Sequence, residues 1–398
     1  MTLRLRAPSS KSMTQRALIL AALSDGPCTV ERPLVCDDSR YLTELLRALG
    51  TTVEWGRDRL EVRPAPLVAP AEPVFCGNAG TAVRFGSCLS LACEGALTID
   101  GNEHMRGRPI GALGSALESL GVEVDYLERA GCPPLRLARR APTPHEVAID
   151  TSLSSQYASG LMMVAPRLED GLTITLSGAG VSMPYVAMTL AMMRAAGAAV
   201  EVAEERYAIA PGGYRTSRIA VEPDWSGAAF LLAGSFLLDR EVVVEGLEDP
   251  RRSLQGDAVF DAMLGELRAS PVERHRFDLT DAPDLIAPLV AACLFADRPS
   301  VIRGAAHTRI KESDRVAVLA TELGKIGARL AVHDDGLDVE PLTAIPEGHW
   351  TLDPDDDHRM AMTFGIVSLR VPGIAVSSPG CVSKSFPDFW DALEQLRP

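Results

Sequence analysis

Seven basic residues stand in short polar segments that precede or open apolar runs of helical spacing. They are Lys11 and Arg16 in PSSKSMTQRALILAAL, Arg108 in MRGRPIGAL, Lys311 and Arg315 in RIKESDRVAVLA, Arg359 in DDDHRMAMTFGIV, and Lys384 in VSKSFPDFWDAL. A helix N-terminus offers backbone N–H groups and the positive end of a dipole. A guanidinium or ammonium beside it makes a strong site for phosphate or carboxylate. The chain's formal net charge is -14, so a generally basic surface does not explain the pattern. Five such segments argue for a ligand, or a pair of ligands, carrying several negative charges.

Other polar groups stand at similar places. Asp284, in TDAPDLIAPLVAACLF, heads a very apolar run; it reads first as a cap or dipole partner, and beside cations in a closed cleft as a general base. Glu312 lies three residues before Arg315, which puts the two on one helical face. Gly77-Asn78-Ala79-Gly80-Thr81 lets backbone approach an anion closely, but lacks the lysine of a Walker loop. Ser154, Ser155 and Gln156 precede one apolar helix, and Ser182 and Tyr185 open the next; each group alone reads as a cap, and the recurrence favours ligand contact. Asp355, Asp356 and Asp357 read as a solvated loop, because His358 has no HxxxH partner to complete a metal site.

The chain has 398 residues, 46% hydrophobic and 23% charged, so two domains of ordinary globular composition are expected. The acidic balance excludes a nucleic-acid or anionic-membrane surface. No apolar run approaches the roughly 20 residues that span a bilayer. Arg4, Arg6 and Lys11 before ALILAAL imitate a signal peptide, but the apolar run is short and follows a polar stretch. The eight cysteines show no CxxC and no metal spacing, which fits reduced, buried thiols in a cytoplasmic protein.

An internal repeat must position these groups. The segments RALGTTVEW, ESLGVEVDY, RAAGAAVEV and GKIGARLAV each join an apolar helix to an alternating strand through a glycine: Gly50, Gly121, Gly197 and Gly327. Glycine there is the left-handed cap that lets the chain turn into a strand. A fifth copy ends near GELRAS (265–270), which has lost its glycine, and a sixth at DALEQLRP. With β-rich runs between the helices, the reading is α/β: six βαβαββ-type repeats, three per domain, with the boundary near 218–227.

Taken in order, these segments, with GNAGTAVR, SSQ, VSMPY, PDLIAPL and DHRMAM, resemble the 5-enolpyruvylshikimate-3-phosphate (EPSP) synthases. The resemblance covers nearly the whole chain. It implies two inside-out α/β barrels, divided as 11–221 and as 1–10 with 222–398. It also implies joining of phosphoenolpyruvate to shikimate 3-phosphate with release of phosphate, without metal or organic cofactor. Shikimate 3-phosphate would meet Lys11, Ser12, Arg16, Ser154, Ser155, Gln156, Ser182, Tyr185, Asp284, His307 and Lys311. Phosphoenolpyruvate would meet Lys11, Gly80, Arg108, Gln156, Arg315, Arg359 and Lys384. Asp284 would take the proton of the attacking hydroxyl and Glu312 would protonate the methylene carbon, with Lys11 or Lys384 assisting the phosphate. The partners implied are these small molecules alone, for a cytoplasmic monomer that closes over them and is inhibited by glyphosate. Three places depart from the family pattern: Phe85 stands for a common proline, His307 for a common asparagine, and Asp224-Trp225-Ser226-Gly227 for a Gly-Asp-x-Ser-Ser arrangement. A related transferase with a UDP-amino sugar as acceptor, or a non-catalytic anion-binding paralogue, are the alternatives.

Overall fold

The computed structural model describes residues 2–140, 144–269 and 272–397. It divides into two compact units, Lys11–Val221 and Met1–Ser10 with Glu222–Pro398.

Within the 11–221 unit one topology occurs three times. In each four-stranded sheet the first two strands are parallel and the other two antiparallel. The sheets are Arg218–Ala220, Cys28–Glu31, Arg59–Arg63 and Thr52–Trp55; then Val74–Phe75, Ala96–Asp100, Leu135–Arg139 and Val122–Tyr126; then Glu146–Asp150, Leu172–Ser177, Arg206–Ile209 and Val200–Ala203. Each sheet has two helices. One is buried nearly all round: Lys11–Ala22, Gly80–Leu89 and Gln156–Val164. These three pack against one another at the centre of the unit. A helix that is apolar on every side belongs in a core, so the sheets lie outside the helices. ALILAAL lies in the first of them, with Leu23 just past its end, and is buried there.

The other unit follows the same plan around the buried helices Trp225–Leu238, Ile286–Cys293 and His358–Val367. Its complete sheet is His275–Asp278, Ser300–Arg303, Gly336–Glu340 and Arg329–His333. Its other two copies are reduced to parallel pairs, Leu3–Leu5 with Val242–Val244 and Trp350–Leu352 with Ile374–Val376. Gly50, Gly121, Gly197 and Gly327 have φ of 102°, 84°, 96° and 82°, the conformation a side chain disfavours. They occur in the four copies that continue into a hairpin. Among the described residues no hairpin follows helix Phe260–Ala269 or Phe389–Leu396, which accounts for the glycine missing from GELRAS. The last residues of both segments, Ser270 and Pro398, lie outside the described residues. All eight cysteines carry free thiols. Among the described residues no helix is long and apolar enough to cross a membrane.

Candidate functional site

The three inner helices of the 11–221 unit begin at Lys11, Gly80 and Gln156, three of the residues singled out by sequence. They run in register: Arg16, sixth in its helix, has its guanidinium 5.5 Å from the ring of Phe85, sixth in the next, and donates to Ser159, fourth in the third, at 3.3 Å. Three N-termini thus gather at one end of the unit, where their dipoles favour anions. Lys11 is held 3.2 Å from the buried Asp38. Arg108 lies flat against Gly80, where an added Cβ would stand 3.0 Å from its guanidinium carbon. The Gly80–Leu89 helix runs unbroken through Phe85, so losing the family's proline does not disturb it.

Arg16 is buried, and most of its hydrogen-bonding capacity is engaged within the unit. Its Nε donates to Thr189 at 2.7 Å, Nη1 to the Ser12 carbonyl at 3.0 Å, and Nη2 to Ser159 and to the Tyr185 carbonyl at 3.1 Å. Four of its five N–H groups are thereby engaged. Burial lowers its pKa to about 10, with the Tyr185 side chain acting the other way. Ser182 precedes the helix Met183–Ala195 at φ 57° and makes no side-chain cap bond. Ser154 accepts from the Gln156 N–H at 3.2 Å, whereas Ser155, at the cap position itself, makes no cap bond.

In the other unit one arginine organises the chemistry. Arg315, 1% exposed, opens the helix Arg315–Gly324 and reaches three carboxylates: Asp357 at 2.7 Å, Asp284 at 2.8 Å and Glu312 at 2.8 Å. Burial works against its charge, but Asp357, Glu312 and Asp284 outweigh burial and hold its pKa above the usual value. The Glu312–Arg315 pair is therefore an interior junction, not a surface ladder. Arg359 binds the second oxygen of Asp284 at 2.9 Å, and Lys384 stands 3.9 Å from Glu312. Burial pushes the Asp284 pKa up, but Arg359, Arg315 and Lys311 pull harder and hold it well below the carboxylate range. In this state Asp284 is a weak base; anions that draw those cations away would strengthen it.

Several elements differ from their sequence reading. Asp284 sits in the 3-10 turn Pro283–Leu285, just ahead of the apolar helix, and makes ion pairs rather than a cap. Lys384 ends a 3-10 segment, Pro379–Lys384, instead of opening a helix, and Lys311 follows another, Ala306–Ile310. Asp355 and Asp356 are exposed, but Asp357 is fully buried and accepts from the Arg359 N–H at 2.8 Å and from Ser313 at 3.2 Å. Its place directly before a helix was a signal the loop reading passed over. Asp38 carried no such signal. His307 is buried, and burial followed by Lys311 lowers its pKa to about 4, so its imidazole is neutral. Asp224 caps Trp225–Leu238 by accepting from Gly227 at 3.0 Å, and Ser226 donates to the buried Asp257. Burial, then Asp284, raises the Asp257 pKa to about 7.

Two units of helices inside sheets define a class: inside-out α/β barrel proteins. The sequence profile of EPSP synthase (3-phosphoshikimate 1-carboxyvinyltransferase) matches residues 1–393. The 3-phosphoshikimate 1-carboxyvinyltransferase of Syntrophobacter fumaroxidans is 36% identical over 421 residues, covering 99% of this chain and 97% of that protein. That of Methanoculleus marisnigri is 35% identical over 407 residues, covering 97% and 95%. The EPSP synthase structure from Acinetobacter baumannii superposes with a TM-score of 0.79 at 23% identity, over 99% of this chain and 95% of that one. The chain belongs to the EPSP synthase family.

Proposed function

We propose that this enzyme transfers the enolpyruvyl group of phosphoenolpyruvate to the 5-hydroxyl of shikimate 3-phosphate, releasing phosphate, on the route to chorismate and aromatic amino acids. The hydroxyl oxygen attacks C2 of phosphoenolpyruvate while Asp284 takes its proton and Glu312 delivers one to C3. The Glu312 carboxylate then takes a proton back from C3 as the C2–O bond to phosphate breaks, which forms the enol ether and releases phosphate. The reading uses no metal or organic cofactor.

The observation that carries it is the junction at Arg315, which holds both Asp284 and Glu312 at 2.8 Å. A base and an acid tied to one guanidinium keep a fixed spacing, as a two-proton addition–elimination requires. Arg359 and Lys384, on the outer sides of the two carboxylates, serve phosphoenolpyruvate. A ligand carboxylate reaching Arg315 displaces one of its three partners, which loosens the hold on Asp284 or Glu312 as substrate binds. Lys11, Gly80, Arg108 and Gln156 serve the same substrate. Ser12, Arg16, Ser154, Ser155, Ser182, Tyr185, His307 and Lys311 serve shikimate 3-phosphate, to which the neutral His307 offers a donor without charge. The protein acts as a cytoplasmic monomer, and glyphosate competes with phosphoenolpyruvate. Phosphate release from phosphoenolpyruvate with shikimate 3-phosphate, set against a UDP-amino sugar acceptor, tests the reading. Turnover with the amino sugar alone overturns it.

A further inference from the structure

Arg84 belongs to neither substrate set, yet it is buried at 6% exposure one turn into the helix Gly80–Leu89. Its Nη1 donates to Oε1 of Gln156 at 2.8 Å. Gln156 Nε2 in turn donates to Thr81 Oγ1 at 3.2 Å. The guanidinium lies 5.4 Å from the ring of Tyr157, whose hydroxyl donates to the Pro109 carbonyl at 2.8 Å, next to Arg108. One buried cation therefore touches the helix of the glycine loop and the helix that Gln156 opens.

We propose that Arg84 is a positioning residue that fixes which face of the Gln156 amide meets the substrate. This rests on the reading of Gln156 as a phosphoenolpyruvate contact. A guanidinium has only N–H donors, so the carbonyl oxygen of the amide must face it. The amide nitrogen then points away. One of its hydrogens goes to Thr81, and the other remains for a ligand on the half-buried side of Gln156. Rotated by half a turn, the amide would set N–H against N–H in a buried place and offer a carbonyl oxygen to an anion. Both changes are unfavourable, and both are prevented by the same contact. The cation also polarises the amide and strengthens the N–H it presents.

A double-mutant cycle on the full-length protein tests this, with phosphate release as the assay. Arg84→Met is expected to raise KM for phosphoenolpyruvate about tenfold, with kcat changed by less than about twofold, as for the loss of a charge-assisted hydrogen bond. In a Gln156→Ala background the same change is expected to move KM by less than about twofold. A general packing role would give equal shifts in both backgrounds and overturns the proposal, as does an unchanged KM in the native background. If circular dichroism shows that Arg84→Met does not fold, Arg84→Lys takes its place. It keeps a charged donor without the planar fork and is expected to raise KM about threefold, only where Gln156 is present; equal shifts overturn the proposal here too. Absence of phosphate release by the wild type removes the underlying reading and this one together. Release by the wild type with additive effects removes this one alone.

Discussion

Replacing Asp357 by asparagine removes one charge from the Arg315 junction and almost no volume. Asp357 is fully buried; one oxygen accepts from Arg315 Nε at 2.7 Å and from Ser313 at 3.2 Å, the other from the Arg359 N–H at 2.8 Å. Asparagine has one acceptor oxygen. If that oxygen keeps the helix cap, the amide nitrogen faces Arg315 Nε, donor against donor. If it turns to Arg315, the cap is lost. Loss of a hydrogen bond to a charged group costs about 1.5–3 kcal/mol, and loss of a cap about 1 kcal/mol. Arg315 keeps Asp284 and Glu312, so the cost stays below the roughly 3–5 kcal/mol of a buried pair broken outright. The expected destabilisation is about 2–3 kcal/mol. At a urea dependence of about 2–3 kcal/mol per molar, the unfolding midpoint falls by roughly 1 M. Urea titration followed by circular dichroism measures it. Freed of one carboxylate, Arg315 binds Asp284 and Glu312 more tightly, so kcat is expected to fall more than KM changes. A variant within about 0.5 kcal/mol of the wild type, with unaltered kcat, would refute the reasoning that this carboxylate shares in setting the junction.

The remaining predictions concern single groups. Gly80→Ala places a methyl 3.0 Å from the Arg108 guanidinium carbon, so the arginine shifts while the fold stands. KM for phosphoenolpyruvate is expected to rise about 10- to 100-fold with little change in thermal midpoint, and an unchanged KM would place that ligand elsewhere. Lys11→Met leaves a folded protein by circular dichroism but lowers turnover by about 10²-fold or more; full activity would remove Lys11 from the phosphoenolpyruvate site. Asp257→Asn changes how stability depends on pH. The folded wild type holds this proton up to about pH 7, whereas an unfolded aspartate loses it near 3.8. The wild type's stability contribution from this group is therefore lost as pH rises towards 7. His307, with its pKa lowered to about 4, gives the opposite slope below 6.5, and gives it equally in both proteins. The variant's thermal midpoint relative to the wild type is expected to rise between pH 5 and pH 8, and a constant difference would count against a buried, protonated Asp257.

Much of the architecture was legible in the chain because it rests on local rules repeated. A glycine before an alternating strand marks a helix that turns into a hairpin, and Gly50, Gly121, Gly197 and Gly327 take that conformation. Among the described residues, the copy lacking the glycine lacks the hairpin. Lysine and arginine at helix starts were visible as candidates for the same reason, since a helix start is a feature of adjacent residues. Sequence by itself thus determined the periodicity, the places where helices turn into hairpins and the chemical type of the ligand.

Which groups touch was decided only in three dimensions. Arg16 and Arg315 look alike in sequence, each near a helix opening. One lies against Phe85 and Tyr185 with four of its five N–H groups on neutral oxygens; the other binds three carboxylates. The link from Arg84 to Gln156 spans 72 positions and that from Arg315 to Asp357 spans 42. The repeat puts such residues in neighbouring copies but does not say which side chains meet, because the partners come together only when the copies pack helix against helix. The direction of a buried charge's hydrogen bonds depends on which acceptors that packing delivers, and this is a property of the assembled core alone.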